Sequence, residues 1–358
     1  MVTGRNVGYG RTRIALVSPL SQVVGMPFLS FDALAPGDRV QHELLVYDRS
    51  DKSGKDGRPF SILRLGNASG QIGTAPLWSE RLEQGWADGV LKGRVVQAIG
   101  QVSLYGSKRQ LEITAPLKLL PPERFTPQEF LPSVGDTTRL WDYIDQRREK
   151  IASPVLRRVL DLFYRDDAFR VRFERAPAST GGHHAKMGGL LLHVAEVARI
   201  GDATARTMKA DADIVVAGAL LHDIGKIESY AIGPEGFSFT PCGSLIGHVV
   251  LGVLMLERAI ASASARGPVC APGQLLELQH LILSHHGALE FGSPVQPMTA
   301  EAEILHRADE SSAKANDMME SLEDGDAFSE GAEVSDRRVW RVGRRIWRRP
   351  HRWDGEER

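Results

Sequence analysis

The 358-residue sequence is poor in cysteine: only Cys242 and Cys270 occur, and no C-x-x-C is present. A disulfide framework and a thiolate zinc site are both excluded, and a reducing, cytoplasmic setting fits. Charge of one sign is not in excess either. Lys and Arg number 44 against 45 Asp and Glu, a net charge of −1. Nucleic acid is therefore not held by bulk positive charge, and any such contact has to be local. Long apolar runs are missing as well. Val253 to Leu256 is a short one, and Ile14 to Leu20 is broken by Ser18 and Pro19. A bilayer span needs ~20 such residues, so neither a membrane helix nor a signal peptide is expected. At ~150 residues per domain the length suggests two domains, and 42% hydrophobic with 25% charged residues is an ordinary globular composition.

Histidine is what the chain has in quantity. Nine of its eleven histidines (His183, His184, His193, His222, His248, His280, His285, His286, His306) lie between residues 183 and 306. Even spreading would put about four there, so a metal site or an unusual core is concentrated in that stretch.

The chain divides by period. Residues 1–30 show none and read as a poorly ordered leader. Residues 31–120 hold five short β-type runs, 39–47, 60–65, 71–75, 90–99 and 109–117, with a helical piece, 77–84, between the third and fourth. That order is the layout of an OB-fold, a small all-β barrel that binds nucleic acid, with an SH3-like barrel as the alternative. Residues 121–136 are Pro-rich and read as a stiff, extended linker. Over 137–320 the period becomes helical, with helices expected at 137–151, 154–165, 188–209, 212–222, 244–263, 274–285 and 299–320, an all-α bundle. In the third of these, Leu190, Leu191, Val194, Val197 and Ala198 make the buried face, and Arg199, Asp202 and Arg206 lie outside. The tail, 321–358, belongs to an end of the chain that splits by sign: eight acids over 317–336, then nine arginines over 337–358 interleaved with Trp340, Trp347 and Trp353. It reads either as two solvated segments that neutralise each other or as a basic patch for a phosphate backbone.

Within the helical region the order is His193, His222-Asp223, His248, His285-His286 and Asp309. Each histidine falls at the middle or end of an expected helix, so the side chains can converge on one cavity between helices. A single buried His at helical spacing is more often a hydrogen-bonded core residue than a ligand, but seven candidates in one ordered set are not explained that way. Imidazole and carboxylate without thiolate suit Mn, Fe, Co or Zn better than Mg or Ca. Asp223 can present both oxygens, so the economical arrangement is two divalent ions bridged by it.

These residues carry a resemblance. His193, the His222-Asp223 doublet followed by Ile224-Gly225-Lys226, and Asp309 resemble the HD superfamily of metal-dependent phosphohydrolases, and His248, His285 and His286 extend the match to its dinuclear members. More narrowly, Gly182-His-His-Ala-Lys-Met-Gly-Gly-Leu-Leu-Leu-His193, Leu220 to Lys226, Ser284 to Pro294 and Glu301 to Asp309 are similar to the YhaM-type 3′-to-5′ exoribonucleases, which join an N-terminal OB-fold to an HD domain. Lys186 departs from that pattern, standing where a neutral or aromatic residue is expected.

The resemblance implies an HD-type phosphodiesterase, a 3′-5′ exoribonuclease acting on single-stranded RNA, with single-stranded DNA left open as a second substrate. His193, His222, Asp223 and Asp309 would hold one metal, and His248, His285 and His286, sharing Asp223, the other, with Mn first and Fe, Co or Zn as alternatives. A bridging water ionised near pH 7 would attack phosphorus. Lys226 would neutralise charge on the pentacoordinate phosphate, and His184 would contact the scissile phosphate or protonate the leaving oxygen. His280 and His306 read first as hydrogen-bonded core residues, with His306, one turn before Asp309, also able to orient a ligand. On the barrel, Tyr47, Phe60 and Tyr105 are candidates for base stacking and Arg94, Lys108 and Arg109 for the backbone. A homo-oligomer is implied by the resemblance alone. Two other functions stay open: an HD-type small-nucleotide or cyclic-nucleotide phosphohydrolase, and a non-catalytic nucleic-acid-binding OB-fold protein.

Overall fold

Alternation of apolar and polar residues builds the N-terminal part. In the computed structural model, which describes residues 29–31, 33–106, 108–234, 236–265, 267–323, 327–329, 331–351 and 353, the strands are β1 (Arg39–Ser53), β2 (Pro59–Asn67), β3 (Gly70–Thr74), β4 (Leu77–Trp78), β5 (Val95–Tyr105), β6 (Lys108–Ile113) and β7 (Lys118–Leu119). The short helix α1 (Ser79–Glu83) follows β4. The expected leader lies outside the described residues except for Leu29 and Ser30. Val40, Leu44, Leu63, Leu65, Val96, Val102, Leu111 and Ile113 point inward and are buried. Each such side chain contributes roughly 1.5–3 kcal/mol.

β1 is long enough to serve two neighbours. Residues 39–45 pair with β5 and residues 45–53 with β2, and the register shifts between Val46 and Asp48, an irregularity that bends a strand around a barrel corner. The circuit β1-β2-β3-β6-β5 closes on β1, with β3 and β6 parallel and the other pairs antiparallel. With the helix between β3 and β5 this is the five-stranded OB barrel and not the SH3-like alternative. The fourth long strand runs over 95–105, not 90–99. Val90 is buried as a loop anchor, and Gly93, at φ +81°, turns the chain before the strand begins.

The Pro-rich stretch expected to be extended folds into two single 3-10 turns, Pro122–Arg124 and Pro127–Phe130. Leu120 and Leu131 pack with Leu45 and Val95 of the barrel, and Met187, Ile232 and Phe237 close the same cluster from the helical side. The Tyr47 hydroxyl donates to the Phe130 carbonyl at 2.8 Å. The two halves are thus joined through an apolar seam.

The helical part comprises α2 (Thr138–Lys150), α3 (Pro154–Tyr164), α4 (Asp167–Arg175), α5 (Gly189–Met208), α6 (Ala212–Leu221), α7 (Lys226–Ser229), α8 (Pro241–Leu245), α9 (His248–Ser264), α10 (Pro272–Ser284) and α11 (Ala300–Glu323). A hairpin of β8 (Tyr230–Gly233) and β9 (Gly236–Phe239) projects between α7 and α8. Ser153, Asp166 and Asp211 cap α3, α4 and α6 by accepting backbone N–H groups, as N-cap side chains do. The α5 face expected inside is inside. Asp202, expected outside, is buried, because it accepts from Arg147 and Arg206, each at 2.9 Å. The helix expected over 244–263 is cut at Gly247, whose φ of +81° makes His248 the first residue of α9. No helix among the described residues is long and apolar enough to cross a membrane.

Beyond α11 the chain folds back. Phe328, Ser335 and Ile346 are buried, and Arg341 pairs with Glu320 at 2.7 Å. Asp324, Asp326, Glu330, Arg352 and residues 354–358 lie outside the described residues. Trp340, Trp347 and Trp353 are exposed.

Candidate metal centre

The seven candidate ligands come from five helices. His193 is in the body of α5 and Asp309 in the body of α11, while His222 caps α6, His248 opens α9 and His285 caps α10. Asp223 stands in the turn from α6 to α7, where a Cβ on Gly225 would lie 2.0 Å from the His248 carbonyl oxygen. Only glycine lets that turn press against the start of α9, so the spacing between the doublet and His248 depends on Gly225.

The side chains converge as two imidazole sets astride two carboxylates. His193 Nε2 lies 3.4 Å and His222 Nε2 3.2 Å from Asp223 Oδ2. His248 Nε2 and His285 Nε2 lie 3.5 and 3.7 Å from the other oxygen, Oδ1. Asp309 repeats the division: Oδ1 is 3.0 Å from His193 Nε2, and Oδ2 is 3.6 Å from His286 Nδ1. Each set is tight, with the ligand atoms of His193, His222 and Asp223, and those of His248, His285 and His286, lying within 4.8 Å of one another. Sequence reasoning gave Asp309 to the first set alone; its second oxygen faces His286.

The outer nitrogens are held. His222 Nδ1 donates to the Ala219 carbonyl at 2.8 Å and His285 Nδ1 to that of Ile282 at 2.6 Å, while His193 Nδ1 pairs with Ser312 Oγ at 3.0 Å. Both backbone contacts fix the tautomer with the Nε2 lone pair directed inward. His306 Nδ1 pairs with the His285 carbonyl at 2.8 Å and so steadies that loop.

Electrostatically the centre is an ionised pair of acids with three neutral imidazoles, those of His248, His285 and His286, on one side. Burial opposes ionisation of Asp223, yet the Lys226 ammonium and the His222 imidazole hold its carboxyl well below the usual range, and His193 does the same for Asp309 against the same burial. Burial pushes His248, His285 and His286 down to about 3. His193 is raised: burial works against its cation, but the neighbouring Asp223 and Asp309 carboxylates, 3.4 and 3.0 Å from its Nε2, prevail. Neither oxygen of Asp223 nor Nε2 of His285 has a hydrogen bond. The Lys226 ammonium stands 2.6 Å from Asp223 Oδ2 as an ion pair. Inward-facing lone pairs of nitrogen and oxygen, buried and unsatisfied, fit a divalent cation and little else.

Lys226 is 4% exposed and committed to Asp223, so it acts on the centre through that carboxylate. His184 was expected to face the phosphate. Instead its backbone is left-handed, at φ +50°, and its buried ring turns to Glu196, with Nε2 3.0 Å from Oε2. The nearer ring to His193 on that loop is that of His183, 5.3 Å between centroids against 6.0 Å for His184, and more open to solvent. Burial, with the neighbouring His193, pushes His183 down to about 3. Glu196 and Ser312 were missed. Glu196 accepts from Ser312 at 2.7 Å and from Asn316 at 2.9 Å, one turn from His193 and Asp309 respectively, and that i+3 spacing was their one signal.

The barrel candidates do not gather. Tyr47 faces the seam with the helical part, and Phe60 packs on Trp78 at 4.8 Å. Tyr105 and Lys108 are exposed beside the β5–β6 turn, and Arg94 is exposed just ahead of β5. Arg109, expected at the backbone, donates to the Phe31 and Leu34 carbonyls at 2.9 Å and ties the entering segment to the barrel.

An OB barrel followed by helices carrying this histidine and aspartate set defines an HD-domain protein, and the HD domain family matches residues 190–314. The 3′-5′ exoribonuclease YhaM of Bacillus subtilis (strain 168) is 32% identical over 291 residues, covering 80% of this chain and 88% of that protein. YhaM of Shouchella clausii is 32% identical over 80% of this chain and 87% of its own, and that of Listeria innocua 30% over 79% and 87%. The chain belongs to the YhaM family and is an HD-class enzyme.

Proposed function

We propose that this protein is a 3′-5′ exoribonuclease that hydrolyses single-stranded RNA with two divalent ions, Mn first. The observation that carries the reading is the pair of split carboxylates, Asp223 and Asp309, each offering one oxygen to either imidazole set. His193, His222, Asp223 and Asp309 would hold one ion, and His248, His285 and His286 with Asp223 the other, Asp309 reaching toward both. Bound there, the ions supply Lewis acidity toward a phosphate oxygen and a water that ionises near neutral pH. Lys226 keeps Asp223 ionised and in place. His183 stands where a phosphate at the centre would meet its ring, and His184 anchors the loop through Glu196. The barrel holds the strand upstream.

The test is incubation with Mn and a 5′-labelled single-stranded RNA, with the DNA of the same sequence in parallel. A ladder shortening from the 3′ end is expected. Binding without cleavage by the metal-loaded protein would replace the reading with a nucleic-acid-binding module.

A further inference from the structure

Between the barrel and the helical part lies a cavity of about 730 Å³, within the ~300–1,000 Å³ range of ligand pockets. Its barrel wall carries Tyr47 of β1 and Arg64 of β2, on the strand 2 and 3 side by which OB-folds take oligonucleotides. The opposite wall is the loop of Gly182 and Lys186, the same loop whose His183 ring faces His193. Phe237 of β9 and the folded-back C-terminal segment, through Trp340 and Arg341, complete it.

The lining has the chemistry of a single-strand groove, in which cations follow the backbone and aromatic rings accept bases. Arg64, Lys186 and Arg341 are set against one lining acid, Glu320, whose two oxygens meet Lys186 at 3.1 Å and Arg341 at 2.7 Å. Trp340 is 75% exposed, with the Arg341 guanidinium 5.5 Å from its ring centre. A large ring left out of the core, on the rim of a cationic cavity, is placed for a partner with a flat face.

We propose that Trp340 and Arg341 complete a binding site for single-stranded RNA in this cavity: Trp340 stacks a base, and Arg341 with Lys186 and Arg64 takes the backbone phosphates just upstream of the 3′ end. The direction of the strand rests on the exoribonuclease reading; the site itself does not. It gives a use to Trp340 and Arg341 of the tail and to Lys186, which the metal centre leaves unused.

The experiment is fluorescence anisotropy with a labelled single-stranded RNA over a range of salt, using the full chain with Asp223→Asn, or the parent in EDTA, so that turnover does not intrude. Trp340→Ala weakens binding ~10-fold and Trp340→Phe by no more than ~3-fold. Arg341→Ala flattens the slope of log K against log salt by ~0.7, the value for one lost single-strand phosphate contact. Arg206→Ala, an exposed arginine paired with Asp202 on the far end of α5, leaves both unchanged. The proposal is overturned if Trp340→Ala binds as the parent does, if Arg206→Ala flattens the slope as much as Arg341→Ala, or if the parent binds no RNA. Cleavage is not read here. A parent that binds RNA through Trp340 yet never shortens it would sink the exoribonuclease reading and leave this site standing.

Discussion

The barrel and the helical part bury polar groups under opposite conditions. In the barrel the buried polar side chains are small and satisfied: Thr74 accepts from the Leu63 backbone at 3.0 Å, Asn67 donates to the Leu29 carbonyl at 2.8 Å, and Ser61 pairs with Asp51. In the helical part many of them are ionisable, and Asp223 and His285 keep atoms with no hydrogen bond. Each unsatisfied buried group costs about 1–3 kcal/mol, more when charged. The barrel's interior therefore answers to stability, whereas the centre of the bundle accepts a cost that only a ligand removes. Such local conflicts mark functional sites.

The contrast breaks most sharply at Asp223. Asp223→Ala is expected to abolish turnover of RNA while leaving RNA binding largely intact, with anisotropy and the labelled-strand assay run side by side; unchanged turnover would remove its bridging role. The converse lesion is Leu63→Ala, which empties a fully buried position in the barrel and costs about 2–5 kcal/mol. It should impair RNA binding yet spare hydrolysis of a minimal phosphodiester such as bis(p-nitrophenyl) phosphate, if the two halves divide the work as described.

Acidification separates them next. His248, His285 and His286 are held at about 3 when folded against a free value of about 6.5. Between those limits the unfolded chain binds more protons, so stability falls as the pH drops through 6.5 toward 3, with raised His193 offsetting part. Thermal midpoints of the EDTA-treated protein should decline from pH 7.5 to 5; a flat profile would contradict neutral imidazoles at the centre. Ser312→Ala removes the partner of His193 Nδ1 and should weaken metal binding about 10–100-fold by calorimetric titration without unfolding the chain. The smallest effect belongs to the seam: Tyr47→Phe loses one hydrogen bond to Phe130, worth about 1 kcal/mol, measurable by urea unfolding.

The sequence showed the barrel order, the long helices and all seven convergent residues, because period and motif spacing are local properties. What it hid was set by distant contacts. The helix α4, Asp-Ala-Phe-Arg-Val-Arg-Phe-Glu-Arg, mixes charge with rings and is buried only through Phe169 and Phe173. The β8–β9 hairpin is four residues a side, too short for a period to register. Asp202 reads as surface until Arg147, 55 residues away, is beside it. His184 and His183 are adjacent and alike in sequence. What separates them is a left-handed backbone at the former, whose ring pairs with Glu196, while the ring of the latter lies the nearer to His193.

The divided aim of Asp223 and Asp309 has one more consequence. A carboxylate whose two oxygens serve different imidazole sets cannot be fixed for one set without being fixed for the other. If two ions load as proposed, the entropy lost in ordering those two side chains falls on the first, and the second would begin from a prepared frame. On that reading this shared ordering favours positive cooperativity, and by linkage loss of one ion would loosen the grip on the other.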